Sequence, residues 1–178
     1  LDEVVKNFNT EETFEDEYAG IPKIAVIGRP NVGKSSLINA IIGQPRNIVH
    51  NSAGTTRDAL STRYNLFGFD FLIVDTAGIR KKSKEMEDVE FYSVMRSIRS
   101  IETADVCVLM IDASEGLQSQ DLNLFSLVQR NNKGIVIVVN KWDLIDKDGK
   151  THLEFEQRIR SKIAPFDDVP IVFTSVIN

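Results

Sequence analysis

Residues 23–36 read Lys-Ile-Ala-Val-Ile-Gly-Arg-Pro-Asn-Val-Gly-Lys-Ser-Ser, and the fold turns on this stretch. Ile24, Ala25, Val26 and Ile27 form a continuous apolar run, the mark of a strand buried on both faces. The run stops at Gly28. Gly28, Gly33, Lys34 and Ser35 then fit G-x-x-x-x-G-K-[ST] without a mismatch. Beyond them Leu37, Ile38, Ala40, Ile41 and Ile42 recur at helical spacing. Strand, glycine loop and helix in this order make a cradle for a chain of phosphates. Glycines let the main chain approach closely and turn its N–H groups inward. The helix start adds unpaired donors and the positive end of its dipole. Gly28, Asn31, Val32, Gly33, Lys34, Ser35 and Ser36 are the expected lining. Lys34 would supply charge to the outer phosphates, and the Ser35 hydroxyl is a hard oxygen ligand for Mg2+.

Composition sets the frame around this loop. The chain has 178 residues, enough for one domain with a real core, and its 42% hydrophobic and 26% charged content are those of a globular protein. The net charge of −5 is unevenly spread. Residues 1–20 hold seven acids and one base, a balance of −6, so the remainder sums to +1. This acidic start reads as a solvated linker or tail, with a partner-binding arm as the alternative. Residues 21–178 form the folded domain. The single cysteine, Cys107, lies in an apolar run and reads as a small buried hydrophobe, and no disulfide can form within one chain. No apolar run reaches the length of a membrane span, and a cytoplasmic location is expected. Neither a membrane nor DNA is an expected partner, and a monomer is the expected state.

After the first helix, residues 43–57 lack helical or strand period and lead through Gly54-Thr-Thr-Arg57 to Asp58. A loop of this length beside a phosphate cradle is expected to be functional. Thr56, with Thr55 as the near alternative, can bring a hydroxyl to the metal and the outermost phosphate. Residues 59–66 and 69–74 read as strands joined by a short turn, hence an antiparallel hairpin. The second ends at Asp75-Thr-Ala-Gly78. Asp75 can hold Mg2+ through water, and the Gly78 N–H can reach a third phosphate. Ile79 follows, a residue unable to orient an attacking water. Arg80-Lys-Lys-Ser-Lys84 could contact RNA phosphates, although a solvated loop balanced by the acids after it is the plainer reading. Phe91, Val94, Met95, Ile98 and Ile101 predict a second helix.

Residues 105–111 and 135–139 predict two further buried strands, with a helix between them faced by Leu122, Leu124, Phe125, Leu127 and Val128. The second strand runs into Asn140-Lys-Trp-Asp143, which fits N-K-x-D. The Asp143 carboxylate can accept from both N–H donors on one edge of guanine. Adenine lacks that pair and would leave the acid unsatisfied, which selects GTP and GDP over the adenine nucleotides. Lys141 can lay its stem along the base, and Asn140 can tie this loop to the glycine loop. A helix over 150–163 is expected to turn Leu153, Phe155, Ile159 and Ile163 inward. A last strand, 170–173, leads to Ser175-Val176, whose N–H groups can face the guanine oxygen. His50 and His152 are read as surface histidines, and no general base stands out. Alternating strands and helices, with motifs at strand C-terminal ends, predict an α/β three-layer fold with a mostly parallel sheet and one antiparallel strand.

These motifs in this order resemble those of the translation-factor-type GTPases, over residues 23–176. Gly28-Arg-Pro-Asn-Val-Gly-Lys-Ser-Ser36, Gly54-Thr-Thr-Arg-Asp58 and the apolar Ile79 resemble the bacterial TrmE–Era–EngA group. Asp75-Thr-Ala-Gly-Ile-Arg-Lys-Lys82 and Asn140-Lys-Trp-Asp143 look like the second GTPase domain of the EngA (Der) family. The resemblance implies a Ras-like G domain of the P-loop NTPase fold. It also implies a preceding GTPase domain joined through an acidic linker, and a following helix and KH-like domain, none of them within this chain. A role in assembling the large ribosomal subunit follows, with the ribosomal subunit or its RNA as partner of the full-length protein. It further implies K+ beside the phosphates, held by Asn31 and main-chain carbonyls, where charge is otherwise brought by an arginine. Catalysis would then rest on Lys34, Thr56, Gly78 and Asn31, and metal binding on Ser35, Thr56, Asp75 and Asn31. The rival reading is a nucleotide-gated module that binds the ribosome or RNA with negligible hydrolysis.

Overall fold

The computed structural model describes residues 20–43, 61–74, 97–146 and 148–176. Thr55, Thr56, Asp75, Gly78, Ile79, His50, the basic cluster at 80–84 and the acidic start all lie outside these residues.

Six strands form one sheet: β1 (Lys23–Ile27), β2 (Thr62–Leu66), β3 (Phe69–Ile73), β4 (Val106–Asp112), β5 (Gly134–Asn140) and β6 (Ile171–Phe173), in the spatial order β2-β3-β1-β4-β5-β6. Every pairing is parallel except that of β2 with β3. The antiparallel pair is closed by Phe67-Gly68, both at positive φ (54° and 81°), a two-residue turn whose twist suits the strands it joins. Three helices are fully described: α1 (Lys34–Ile42), α2 (Ser119–Arg130) and α3 (Thr151–Ile163). Residues 97–103 are also helical and bury Ile101.

The alternation of side chains along the strands assigns each helix to a face. Ala25, Ile27, Cys107, Leu109, Ile111, Ile135, Ile137 and Val139 point one way and cluster with Phe125 and Val128 of α2 and Phe155, Ile159 and Ile163 of α3. The intervening residues, Val26, Val108, Met110, Val136 and Val138, point the other way and meet Val32 and Leu37 at the start of α1. The sheet is therefore the middle of three layers, as the continuous apolar runs predict. Cys107 is buried in the larger cluster, and burial pushes its thiol up to about 11.

One inward residue is corrected. Leu153 is 58% exposed. The buried face of α3 is Phe155, Ile159 and Ile163, at spacing four, and Leu153 lies two positions from Phe155, roughly 200° around the helix.

The sheet order has one consequence for function. From β1 the chain moves first to the β2–β3 pair on one side and later to β4 on the other. The C-terminal end of β1 is thus a topological switch point, where an open α/β sheet leaves a crevice for a ligand. Gly28 stands at that end, Asp112 and Asn140 are the last residues of β4 and β5, and Thr174 follows β6.

Candidate nucleotide-binding site

The glycine loop leaves β1 at Gly28 and enters α1 at Lys34. Two of its glycines are fixed by what lies beside them. Gly28 has φ 142°, and a Cβ there would sit 2.4 Å from the main-chain oxygen of Met110 in β4. Gly33, the residue before α1, has φ 103°, and a Cβ there would sit 2.2 Å from Asn140 Nδ2. The second glycine of the phosphate motif is thereby required by the asparagine of the base motif. Val32 is buried beneath the loop, while Asn31 (φ 64°) and Ser35 are exposed and Ser36 is half-buried.

Lys34 folds back across its own loop. Its Nζ donates to the main-chain oxygens of Gly28 at 2.8 Å and Arg29 at 2.6 Å. Burial lowers its ammonium to about 8, against the opposing field of the Asp121 carboxylate. The first turn of α1 carries no acid, so the lysine and the helix start offer an anion a positive corner.

The base motif lies next to this corner. Asn140 ends β5, is 2% exposed, and faces Asp112 of β4 in register. Its Nδ2 donates to the Val32 oxygen at 2.9 Å, and its Oδ1 accepts from the Val176 N–H at 3.1 Å. One side chain therefore joins the glycine loop, the N-K-x-D loop and the Ser175-Val176 loop. Lys141 adopts a left-handed conformation (φ 60°) and opens the 3-10 turn Trp142–Leu144. The Asp143 N–H donates to Ser175 Oγ at 3.0 Å, and the Trp142 N–H to the Thr174 oxygen at 3.1 Å. Trp142 packs edge-on against Phe155 and Phe173 and so anchors the loop to the core. His152, exposed as expected, also lies against Trp142 and Phe173.

Of the predicted site residues, the structure brings Gly28, Asn31, Val32, Gly33, Lys34, Ser35, Ser36, Asn140, Lys141, Asp143, Ser175 and Val176 to one edge of the sheet. Thr56, Asp75 and Gly78 lie outside the described residues. Among the described residues no cluster of three His, Cys, Asp or Glu side chains could hold a metal by itself. Ser35 Oγ, a hard oxygen at the mouth of the positive corner, suits a cation that takes its other ligands from phosphates and water.

Sequence reasoning missed four residues here. Arg29, a variable position of the motif, donates its Nε to both carboxylate oxygens of Asp121 at 3.1 and 3.0 Å and pairs with Glu115 through NH1. Asp121 is wholly buried and also caps α2 by accepting from the Gln118 N–H at 3.0 Å. Asp112 accepts from Lys141 Nζ at 2.6 Å and from the N–H and hydroxyl of Ser114 at 2.9 and 2.6 Å. Burial alone would raise the Asp112 carboxyl, but these hydrogen bonds outweigh it and hold the group below the usual carboxylate range. No local sequence signal marks these residues, because their partners lie 29 and 92 positions away in the chain.

A parallel sheet with a glycine loop at its switch point, and N-K-x-D on a neighbouring strand end, defines a guanine-nucleotide-binding domain of the P-loop class. The chain belongs to the 50S ribosome-binding GTPase family, whose model matches residues 23–141. It is similar along its whole length to GTPase Der of Bacteroides thetaiotaomicron, at 61% identity over 181 residues, and to GTPase Der of Porphyromonas gingivalis, at 54% over 179. It spans 41% of the length of each. Among solved structures it resembles Era of Aquifex aeolicus bound to GDP and aluminium fluoride, with TM-score 0.65 and 31% identity, covering 88% of this chain and 52% of that one. Era in complex with MgGDPNP and a fragment of 16S ribosomal RNA superposes equally well, with TM-score 0.65, 31% identity and coverage of 88% and 51%.

Proposed function

We propose that this chain is a GTPase domain that binds GTP with Mg2+ and hydrolyses it to GDP and phosphate, within a longer protein acting in assembly of the large ribosomal subunit. The observation that carries the reading is Asn140. A side chain from the base motif hydrogen-bonds to the glycine loop 108 positions earlier and is accommodated there by a glycine. That bridge has a use where base and phosphates belong to one ligand.

In this reading the main-chain N–H groups of residues 31–36 hold the phosphates, and Lys34 leaves the carbonyls of Gly28 and Arg29 to meet the outer ones. Asp143 accepts from the guanine edge, Lys141 lies along the base, and the Ser175-Val176 segment approaches the guanine oxygen. Water attacks the γ-phosphorus, the bond to the β–γ bridging oxygen breaks, and the charge passes to GDP. Such transfers ask mainly for positioning and neutralisation of charge. Mg2+, when bound, would neutralise the β- and γ-phosphate oxygens, with Ser35 as a protein ligand and Thr56 and Asp75 as the further ligands expected from sequence. Gly78 would offer its N–H to the γ-phosphate. Ile79 cannot orient the water, and a K+ ion at Asn31 would supply the charge that helps compensate. Residues 1–20 would be the acidic linker to a preceding domain and residues 21–178 the GTPase domain, monomeric and cytoplasmic.

The test is turnover of GTP by the purified chain with Mg2+, in K+ and in Na+. GTP bound in preference to ATP and hydrolysed supports the reading, and faster turnover in K+ supports the role of Asn31. Tight GTP binding with negligible turnover in both salts would shift the conclusion to a nucleotide-gated binding module. Asp143→Asn is expected to weaken GTP binding and admit xanthine nucleotides, and unchanged GTP affinity would overturn the base-recognition role.

A further inference from the structure

The connection between β4 and α2 contributes three carboxylates, and each holds a cation from a nucleotide motif elsewhere in the chain. Asp112, at the end of β4, accepts from Lys141 Nζ at 2.6 Å, joining the base motif. Asp121, in the first turn of α2, takes Arg29 Nε on both oxygens, at 3.1 and 3.0 Å, joining the glycine loop. Glu115 pairs with the same guanidinium from the connection itself. The connection is rigid in its own right. The N–H groups of Glu115 and Gly116 donate to the Asp112 oxygen at 3.2 and 2.8 Å, and Ser114 bonds the Asp112 carboxylate. At the other end Asp121 caps the helix through Gln118.

We propose that the β4–α2 connection, residues 112–121, is a positioning brace that fixes the distance between the phosphate loop and the base loop. This rests on the GTPase reading above. Asp112 and Asp121 are its positioning residues. Neither carries the nucleotide: each sets a residue that does, or the loop that carries one. Asp112 directs the ammonium of Lys141 away from the base, so that the methylene stem is what remains to lie along it. Asp121 fixes Arg29, whose main-chain oxygen receives Lys34 Nζ at 2.6 Å.

The two halves of the brace make different demands, and binding of GDP and of guanosine by the same chain separates them. Asp121→Asn and Arg29→Ala are each expected to weaken GDP about tenfold while leaving guanosine unchanged. Their combination should be no weaker than either alone, because one interaction is lost in all three variants. The helix-capping role of Asp121 does not involve Arg29 and cancels in that cycle. Asp112→Asn is expected to weaken GDP and guanosine by a common factor of about fivefold. Thermal unfolding without ligand, run on every variant, identifies any that fail to fold. Should Asp112→Asn be among them, the Arg29–Asp121 cycle carries the test. Affinities within twofold of the parent, strictly additive effects of Arg29→Ala and Asp121→Asn, or equal loss of GDP and guanosine in Asp121→Asn would each overturn the brace. A parent chain that binds no GDP would overturn the GTPase reading itself, and the brace with it.

Discussion

The two sides of the site are built by opposite means. On the base side, side chains tie the loops together. Asn140 bonds the main chain of Val32 and Val176, Lys141 donates to the Asp112 carboxylate, and Ser175 Oγ accepts from the Asp143 N–H, all without a ligand. On the phosphate side the shape comes from main chain and glycine, and the ammonium of Lys34 is parked on two carbonyls of its own loop. The base side is preorganised; under the proposed function, the phosphate side holds a lysine that would exchange partners when phosphates arrive. Recognition of a neutral, flat base depends on fixed donors and acceptors, because a misplaced acceptor loses its discrimination. Binding of a polyanion depends on the density of positive potential, which a pivoting ammonium can supply.

Gly33 is where the two constructions touch, and breaking it gives the largest expected effect. In Gly33→Ala the new methyl would meet Asn140 Nδ2 at 2.2 Å, on a backbone at φ 103°. Left-handed strain and overpacking together predict a loss of about 3 kcal/mol or more in urea unfolding. GDP affinity should fall on the order of a hundredfold, because the clash moves both loops. A loss below about 1 kcal/mol would mean that the Asn140 bridge yields easily and does not tie the two sides together.

Asn140→Ala removes the bridge without the clash. It deprives the buried Val32 oxygen and the Val176 N–H of their partner, and a loss of about 2–3 kcal/mol is expected from unmet buried groups. Calorimetry should show weaker binding of both GDP and guanosine, since the bridge serves base and phosphates alike. Loss of guanosine binding alone would place Asn140 wholly on the base side and blunt the contrast drawn above.

That contrast also explains what could be read in the sequence. The phosphate side was legible because its chemistry is local: a strand, two glycines, a lysine and the start of a helix within residues 23–36. The strands announced themselves as apolar runs, and a two-residue turn at Phe67-Gly68 gave the antiparallel pair. The base motif was legible too, through the spacing of Asn140 and Asp143. The connection of residues 112–121 was not. Its carboxylates act on Lys141 and Arg29, partners 29 and 92 positions away, and no periodicity or motif encodes such pairings. Asp121 looks like an ordinary helix-start acid until the fold sets Arg29 beside it. Leu153 failed for a simpler reason: an apolar residue in a helical window was assigned to the buried face although its angle points elsewhere.

The smallest expected effect tests the parked lysine by pH. Burial brings Lys34 from 10.5 down to about 8 in the folded chain. Between these values the unfolded chain binds the proton and the folded chain does not, so this group makes stability rise with pH through that window. Below about pH 8 both states carry the charge, and the folded chain bears its burial. Lys34→Met removes the group. Its stability relative to the parent, measured by urea unfolding without nucleotide, should therefore be more favourable at pH 7 than at pH 10. Discounted for solvent near an open loop, the difference is on the order of 1 kcal/mol. Saturating GDP should change the outcome at pH 7, since phosphates favour the charged lysine and the parent then gains stability that the variant cannot. A pH-independent difference without nucleotide would show that the lysine rests at no electrostatic cost. The phosphate side would then be as preorganised as the base side, and the distinction between the two would be lost.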